Sequence, residues 1–143
     1  MRVVLDANVI IAAFAARGLC ESVLELCLSD HEIVISEYLL AEVQRHLIGK
    51  INLPSEIVED IIALLREQGT MAEPSLIDEN ACRDKNDLPI LGTAVASGSD
   101  CIITGDKDLL VLKQYENAKI CSPREFADAF RRAAPPSQGK PGK

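Results

Sequence analysis

Tryptophan is absent, and aromatic residues make up only 3% of the 143-residue chain. A core made without them must be packed from Leu, Ile, Val and Ala, and an aromatic platform on which successive bases stack is excluded. An excess of positive charge is missing as well. The formal net charge is −7 and the isoelectric point is near 4.8, which argues against a protein that grips a polyanion mainly by neutralising phosphates. Cysteine occurs at positions 20, 27, 82, 101 and 121, an odd number with no CxxC pair. A disulfide framework is therefore not indicated, and reduced thiols filling small core spaces are expected. No apolar run approaches the roughly 18 residues of a membrane span, and no basic stretch followed by an apolar one precedes the first strand. A soluble, cytoplasmic protein is the expectation.

What the chain does have is an apolar fraction of 48% and a regular alternation of strand and helix signals. One domain is expected over residues 1–132, long enough to bury roughly two-thirds of its unfolded surface. Val3–Leu5, Ile33–Ile35 and Cys101–Ile103 are short, mostly β-branched runs of the kind found in strands buried on both faces. Between them the period changes to that of helices. Val9–Ala16 and Glu21–Ser29 flank Gly18. Ser36 is placed to cap a helix carrying Leu39, Leu40, Val43 and Leu47 on one face, and Pro54 and Ser55 open another that Gly69 closes. Leu88–Ser97 predicts a helix of small residues, and Leu109–Leu112 a short one. Lys119–Cys121 predicts a last edge strand, and Ser122 with Pro123 starts a final helix with Phe126 and Phe130 at helical spacing. The fold class predicted is α/β: a three-layer α/β/α arrangement with a mainly parallel sheet and helices on both faces. The segment 133–143 is too polar and too rich in Pro and Gly to pack, so a disordered tail is expected there.

Acidic residues punctuate this pattern. Asp6 follows the first strand and Asp106 follows the strand that ends at Ile103. Ligands of open α/β sheets bind beyond the carboxyl ends of the strands, so both should face one crevice. Glu42 lies beside the apolar stripe of its helix, where an unpaired carboxylate is costly. Asp87 precedes a helix, with Asp84 three residues earlier, and Asp108 lies just behind Asp106. Each acid also has a local explanation as a cap or a dipole partner. Gathered together, they would repel one another by roughly 4 kcal/mol per close pair at an effective dielectric near 20, and such a cluster needs cations. Oxygen donors suit Mg²⁺ or Mn²⁺, and bound metal permits hydrolysis of a phosphodiester. The negative charges would then be offset, with Arg17, Arg45, His46, Lys50, Lys107 and Lys113 available to guide a substrate.

These residues together resemble the PIN domains, and in particular the stand-alone bacterial and archaeal members that serve as toxin components of toxin–antitoxin pairs. The resemblance runs from Arg2 to about Arg131. It is carried by Val3-Val4-Leu5-Asp6-Ala7-Asn8-Val9, Ser36-Glu37-Tyr38-Leu39-Leu40-Ala41-Glu42-Val43, Arg83-Asp84-Lys85-Asn86-Asp87, Ile103-Thr104-Gly105-Asp106-Lys107-Asp108-Leu109-Leu110 and Ser122-Pro123-Arg124-Glu125-Phe126. It implies a metal-dependent endoribonuclease acting on single-stranded or structured RNA. The implied catalytic and metal-binding acids are Asp6, Glu42, Asp87 and Asp106, with Asp108 as an additional metal ligand, Asn8 and Thr104 in support, and Mg²⁺ or Mn²⁺ as cofactor. Ala7 stands where many members carry Thr, and Lys85 and Asn86 replace residues that are often Pro and Asp.

Two other readings fit parts of the pattern. A haloacid-dehalogenase-like phosphatase also places Asp after the first strand, but it needs a second Asp two positions on, where this chain has Asn8. A non-catalytic module of the same fold would use the acidic cleft to hold metal or a basic peptide. An antitoxin with Arg or Lys entering the cleft is the implied protein partner, and the stripe from Ile57 to Leu65 suggests a homodimer.

Overall fold

A computed structural model describes residues 1–131; the tail expected at 133–143 lies outside the described residues. Six strands form one sheet in the order β3-β2-β1-β4-β6-β5. They are β1 (Arg2–Leu5), β2 (Glu32–Ile35), β3 (Thr70–Met71), β4 (Cys101–Ile103), β5 (Gln114–Tyr115) and β6 (Ala118–Cys121). All neighbouring pairs are parallel except β5 with β6, which is an antiparallel hairpin. The helices are α1 (Ala7–Ala15), α2 (Leu19–Asp30), α3 (Glu37–Gly49), α4 (Ser55–Gln68), α5 (Leu88–Ser97), α6 (Lys107–Leu110) and α7 (Pro123–Arg131), and a 3-10 turn over Lys85–Asp87 precedes α5.

Chain direction decides which face each helix covers. From β1 the strands step outward to β2 and β3, and right-handed crossovers put α1 to α4 on one face. The return from β3 to β4 passes back over β2 and β1, so its helix, α5, lies on the opposite face, packed against both of those strands. Helix α7 joins the first face by packing on α2. Strands β1 and β4 are neighbours whose connections leave in opposite directions, and a crevice opens beyond the carboxyl ends of such a pair. Because both faces are covered, Val3, Val4, Leu5, Ile102 and Ile103 are fully buried, which is why these runs are continuously apolar rather than alternating.

Local signals set the helix ends. The Ser36 hydroxyl accepts from the Leu39 amide at 3.1 Å and starts α3, whose buried residues are Leu39, Leu40, Val43 and Leu47. Gly98 closes α5 in the left-handed region at φ +62°, where an L side chain is disfavoured. Two details depart from the sequence expectations. The short helix runs Lys107–Leu110 rather than 109–112, because the Asp106 carboxylate caps it by accepting from the Asp108 amide at 2.9 Å. Strand β6 is also not the edge: β5 folds back onto it, through a turn in which Glu116 has positive φ.

Candidate functional site

The crevice between β1 and β4 is a cleft of about 600 Å³, lined by Asp6, Glu42, Asp84, Asp87, Asp106 and by Asn8, Tyr38, Arg45, His46 and Lys50 among others. Its acids come from separate parts of the chain. Asp6 is delivered by the end of β1, where its amide donates to the Ile103 carbonyl at 2.9 Å and so continues the ladder to β4. It is 5% exposed. Thr104, fully buried after β4, donates its hydroxyl to Asp6 Oδ2 at 2.7 Å and accepts from the Asp106 amide at 3.0 Å. One hydroxyl therefore fixes Asp6 and the loop bearing Asp106 relative to each other. Burial raises the Asp6 pKa above its ordinary value, the Thr104 and Asn8 hydrogen bonds oppose that shift, and Asp106 reinforces it. From Asn8 the contact is made by the backbone amide, 3.4 Å from Asp6 Oδ1.

Asp87 is the most perturbed acid. It is 7% exposed, and its Oδ2 is buried with no hydrogen-bond partner. Burial pushes its pKa up to about 8, and the adjacent Asp106 carboxyl, then Asp84 and Asp6, add to the shift. An unpartnered buried oxygen is expensive unless something positive is meant to lie against it. Carboxylate oxygens of Asp84, Asp87 and Asp108 lie within 4.8 Å of one another. Asp108 itself does not line the cleft, but this group draws it to the cleft's edge. The donors are all oxygens, converge, and leave one buried oxygen unmatched, which is a set that suits a hard divalent cation.

Glu42 reaches the cleft from α3. Beside the apolar stripe an unpaired carboxylate would be costly, and Glu42 is paired. Arg45 Nη2 donates to Glu42 Oε2 at 2.7 Å, and His46 Nδ1 lies 3.7 Å from Oε1 and 2.9 Å from the Glu42 carbonyl oxygen. Of the six basic residues named from the sequence, Arg45, His46 and Lys50 line the cleft, whereas Arg17, Lys107 and Lys113 do not. Asp84 and Tyr38 also line the cleft, although the sequence reading assigns neither to the site. Asp84 sits three positions before Asp87 around a 3-10 turn, a spacing that places both side chains on the same side of the turn and could have indicated it. Tyr38, one turn before Glu42, has its phenol held above its usual pKa by burial and then by the Glu42 carboxylate.

A doubly wound α/β sheet with an acid-rich cleft at its switch point belongs to the class of folds that place their ligand sites beyond the carboxyl ends of the strands. Within that class the chain belongs to the PIN domain family, whose model it matches over residues 2–108, a family of nucleases. Its fold is similar to that of VapBC-1 from nontypeable Haemophilus influenzae, with TM-score 0.60, 22% identity, and 87% of this chain and 99% of that one covered. It is also similar to VapBC2 from Rickettsia felis, solved bound to a DNA fragment from their promoter, with TM-score 0.57, 18% identity, and 85% and 98% covered. No curated protein matches the chain significantly. Among the described residues, no helix is long and apolar enough to cross a membrane.

Proposed function

We propose that this chain is a divalent-metal-dependent endoribonuclease that hydrolyses phosphodiester bonds of single-stranded or structured RNA, and that it is the toxin component of a toxin–antitoxin pair. The observation that carries the reading is the convergence of Asp6, Glu42, Asp87 and Asp106, from four elements, on one cleft with Asp87 Oδ2 buried and unmatched inside it. Mg²⁺ or Mn²⁺ would be held by these acids, with Asp108 and Asp84 at the edge. When bound, such a cation lowers the pKa of an attacking water and stabilises the departing oxygen. The chain's own residues do the rest. Thr104 keeps Asp6 and the Asp106 loop in register, α3 presents Glu42, and Arg45, His46 and Lys50 form a basic rim against which the nucleic-acid backbone can lie.

An antitoxin partner is supported by fold neighbours that are VapBC proteins and by the net charge of −7, which suits a cationic partner. The decisive assay is cleavage of a mixed single-stranded RNA pool with Mn²⁺ or Mg²⁺. Asp6→Asn and Asp106→Asn should each abolish metal-dependent cleavage while leaving the fold intact, since each removes one of several mutually repelling charges. Cleavage at the wild-type rate by both variants would refute the assignment. Metal binding without any cleavage by the wild-type protein would instead indicate a binding module of the same fold.

A further inference from the structure

The Glu42 carboxylate is claimed twice. It lines the acidic cleft with Asp6, Asp87 and Asp106, and at the same time Oε2 accepts a 2.7 Å hydrogen bond from Arg45 Nη2. The two partners differ in placement. The Glu42 side chain is 23% exposed and that of Arg45 is 66% exposed, so the guanidinium reaches inward from the rim to an acid that faces the cleft. We propose that Arg45 and the divalent cation compete for the Glu42 carboxylate, so that filling the cleft releases the Arg45 guanidinium to take a phosphate of the nucleic acid. This rests on the nuclease reading above and adds to it a positioning residue whose availability depends on the metal.

Several observations point the same way. Arg45 precedes His46 on α3, and Lys50 follows His46 by one helical turn, so all three stand on the same stretch of rim. A guanidinium engaged with Glu42 has part of its donor fork committed and its charge locally cancelled. Once freed, it offers the planar, two-pronged donor set that matches phosphate oxygens, which Lys50 cannot reproduce as a single ammonium. The chain is acidic overall, so a polyanion needs local cations at the moment it arrives. An arginine released only when the metal has neutralised the cleft supplies one in the state that is competent to cut. Linkage requires the reciprocal effect: nucleic acid that captures Arg45 should strengthen metal binding by the same factor.

The test uses the full chain and Mn²⁺ alone, titrated by calorimetry into wild-type protein, Arg45→Met and Lys50→Met. Arg45→Met should bind Mn²⁺ about threefold more tightly than wild type, the size expected for a partly exposed ion pair that no longer competes. Lys50→Met is the control for charge, because Lys50 shares the rim but pairs with no carboxylate among the described residues. Its gain should be clearly smaller. In a Glu42→Gln background the effect of Arg45→Met should vanish, since the contested carboxylate is gone. Separately, the affinity for a phosphorothioate-backbone single-stranded RNA, read by fluorescence anisotropy, should rise more on Mn²⁺ addition for wild type than for Arg45→Met. Equal Mn²⁺ affinity in wild type and Arg45→Met, or a gain fully matched by Lys50→Met, overturns the competition while leaving the nuclease reading standing. Absence of Mn²⁺ binding in every protein overturns both.

Discussion

A side chain at position 92 would have nowhere to go. An ideal Cβ on Gly92 falls 2.3 Å from the Ser75 carbonyl oxygen and 3.2 Å from Pro74 Cβ, because the irregular segment after β3 is pinned to α5 by the Ser75 amide donating to the Gly92 carbonyl at 3.0 Å. Glycine inside a helix normally costs roughly 0.5–1 kcal/mol relative to alanine. Here the backbone clash should reverse that sign. Gly92→Ala should lose about 1–3 kcal/mol in a urea melt, the usual cost of forcing atoms into a packed site, and it should weaken metal binding by displacing Asp87 at the head of the same helix. A gain in stability would show that the segment yields freely. Other residues differ in how openly the sequence announces them. Asp6 and Asp106 are legible because each follows a buried apolar strand whose carboxyl end opens on the crevice, a signal beyond the helix cap that each also supplies. Asp84 is harder to assign, since an acid before a helix has an adequate local reason to be there. The Arg45–Glu42 pair is a different case: both residues are visible on α3, but whether they meet is decided by rotamers, which no spacing rule fixes.

Helix α4 was legible as an element and only partly so as a surface. Its stripe divides in the structure: Val58, Ile61 and Leu65 are buried, whereas Ile57 and Leu64 are 47% and 37% exposed. The buried set packs on α3 and β2. The exposed pair is left over, and Ile48 and Ile51 at the end of α3 are also uncovered. A homodimer formed through this apolar surface is therefore expected at micromolar concentration, observable as twice the monomer mass by light scattering. Ile57→Glu with Leu64→Glu should return the monomer, because two charges would be desolvated at the contact. A monomeric mass for the wild-type chain ends the idea. The elements that the sequence did not reveal are those with least local signal. Strand β5 is two residues long, too short for any period to show, and it is defined only by its hairpin pairing of Gln114 with Lys119 and Tyr115 with Ala118. Helices α3, α5 and α7 were readable because each carries an explicit terminus: a serine cap, a left-handed glycine, and a proline at the first helical position.

At the scale of the molecule, the acidic cleft sets a conflict between folding and function. Folding brings Asp6, Asp84, Asp87 and Asp106 into one small volume, and desolvation together with mutual repulsion raises the pKa of both Asp6 and Asp87. The metal-free fold is therefore less stable than its core alone would make it. A cation bound only by the folded state stabilises by about 2.7 kcal/mol at a hundredfold excess over its dissociation constant. For a chain of 143 residues, each kcal/mol moves the melting temperature by roughly 3 °C. Mn²⁺ should accordingly raise Tm by about 8 °C over the protein in EDTA, as read by scanning calorimetry. Asp87→Asn makes a sharper prediction above about pH 8, where it removes the charge that the buried carboxyl with the unpartnered Oδ2 otherwise has to carry. Its metal-free Tm should lie above that of the metal-free wild type, and most of the Mn²⁺-dependent increment should be lost. A wild-type Tm that ignores Mn²⁺ would mean that these acids are held together for some reason other than a cation. A metal-free Asp87→Asn that melts below wild type would mean that the buried carboxyl stabilises the fold through contacts of its own.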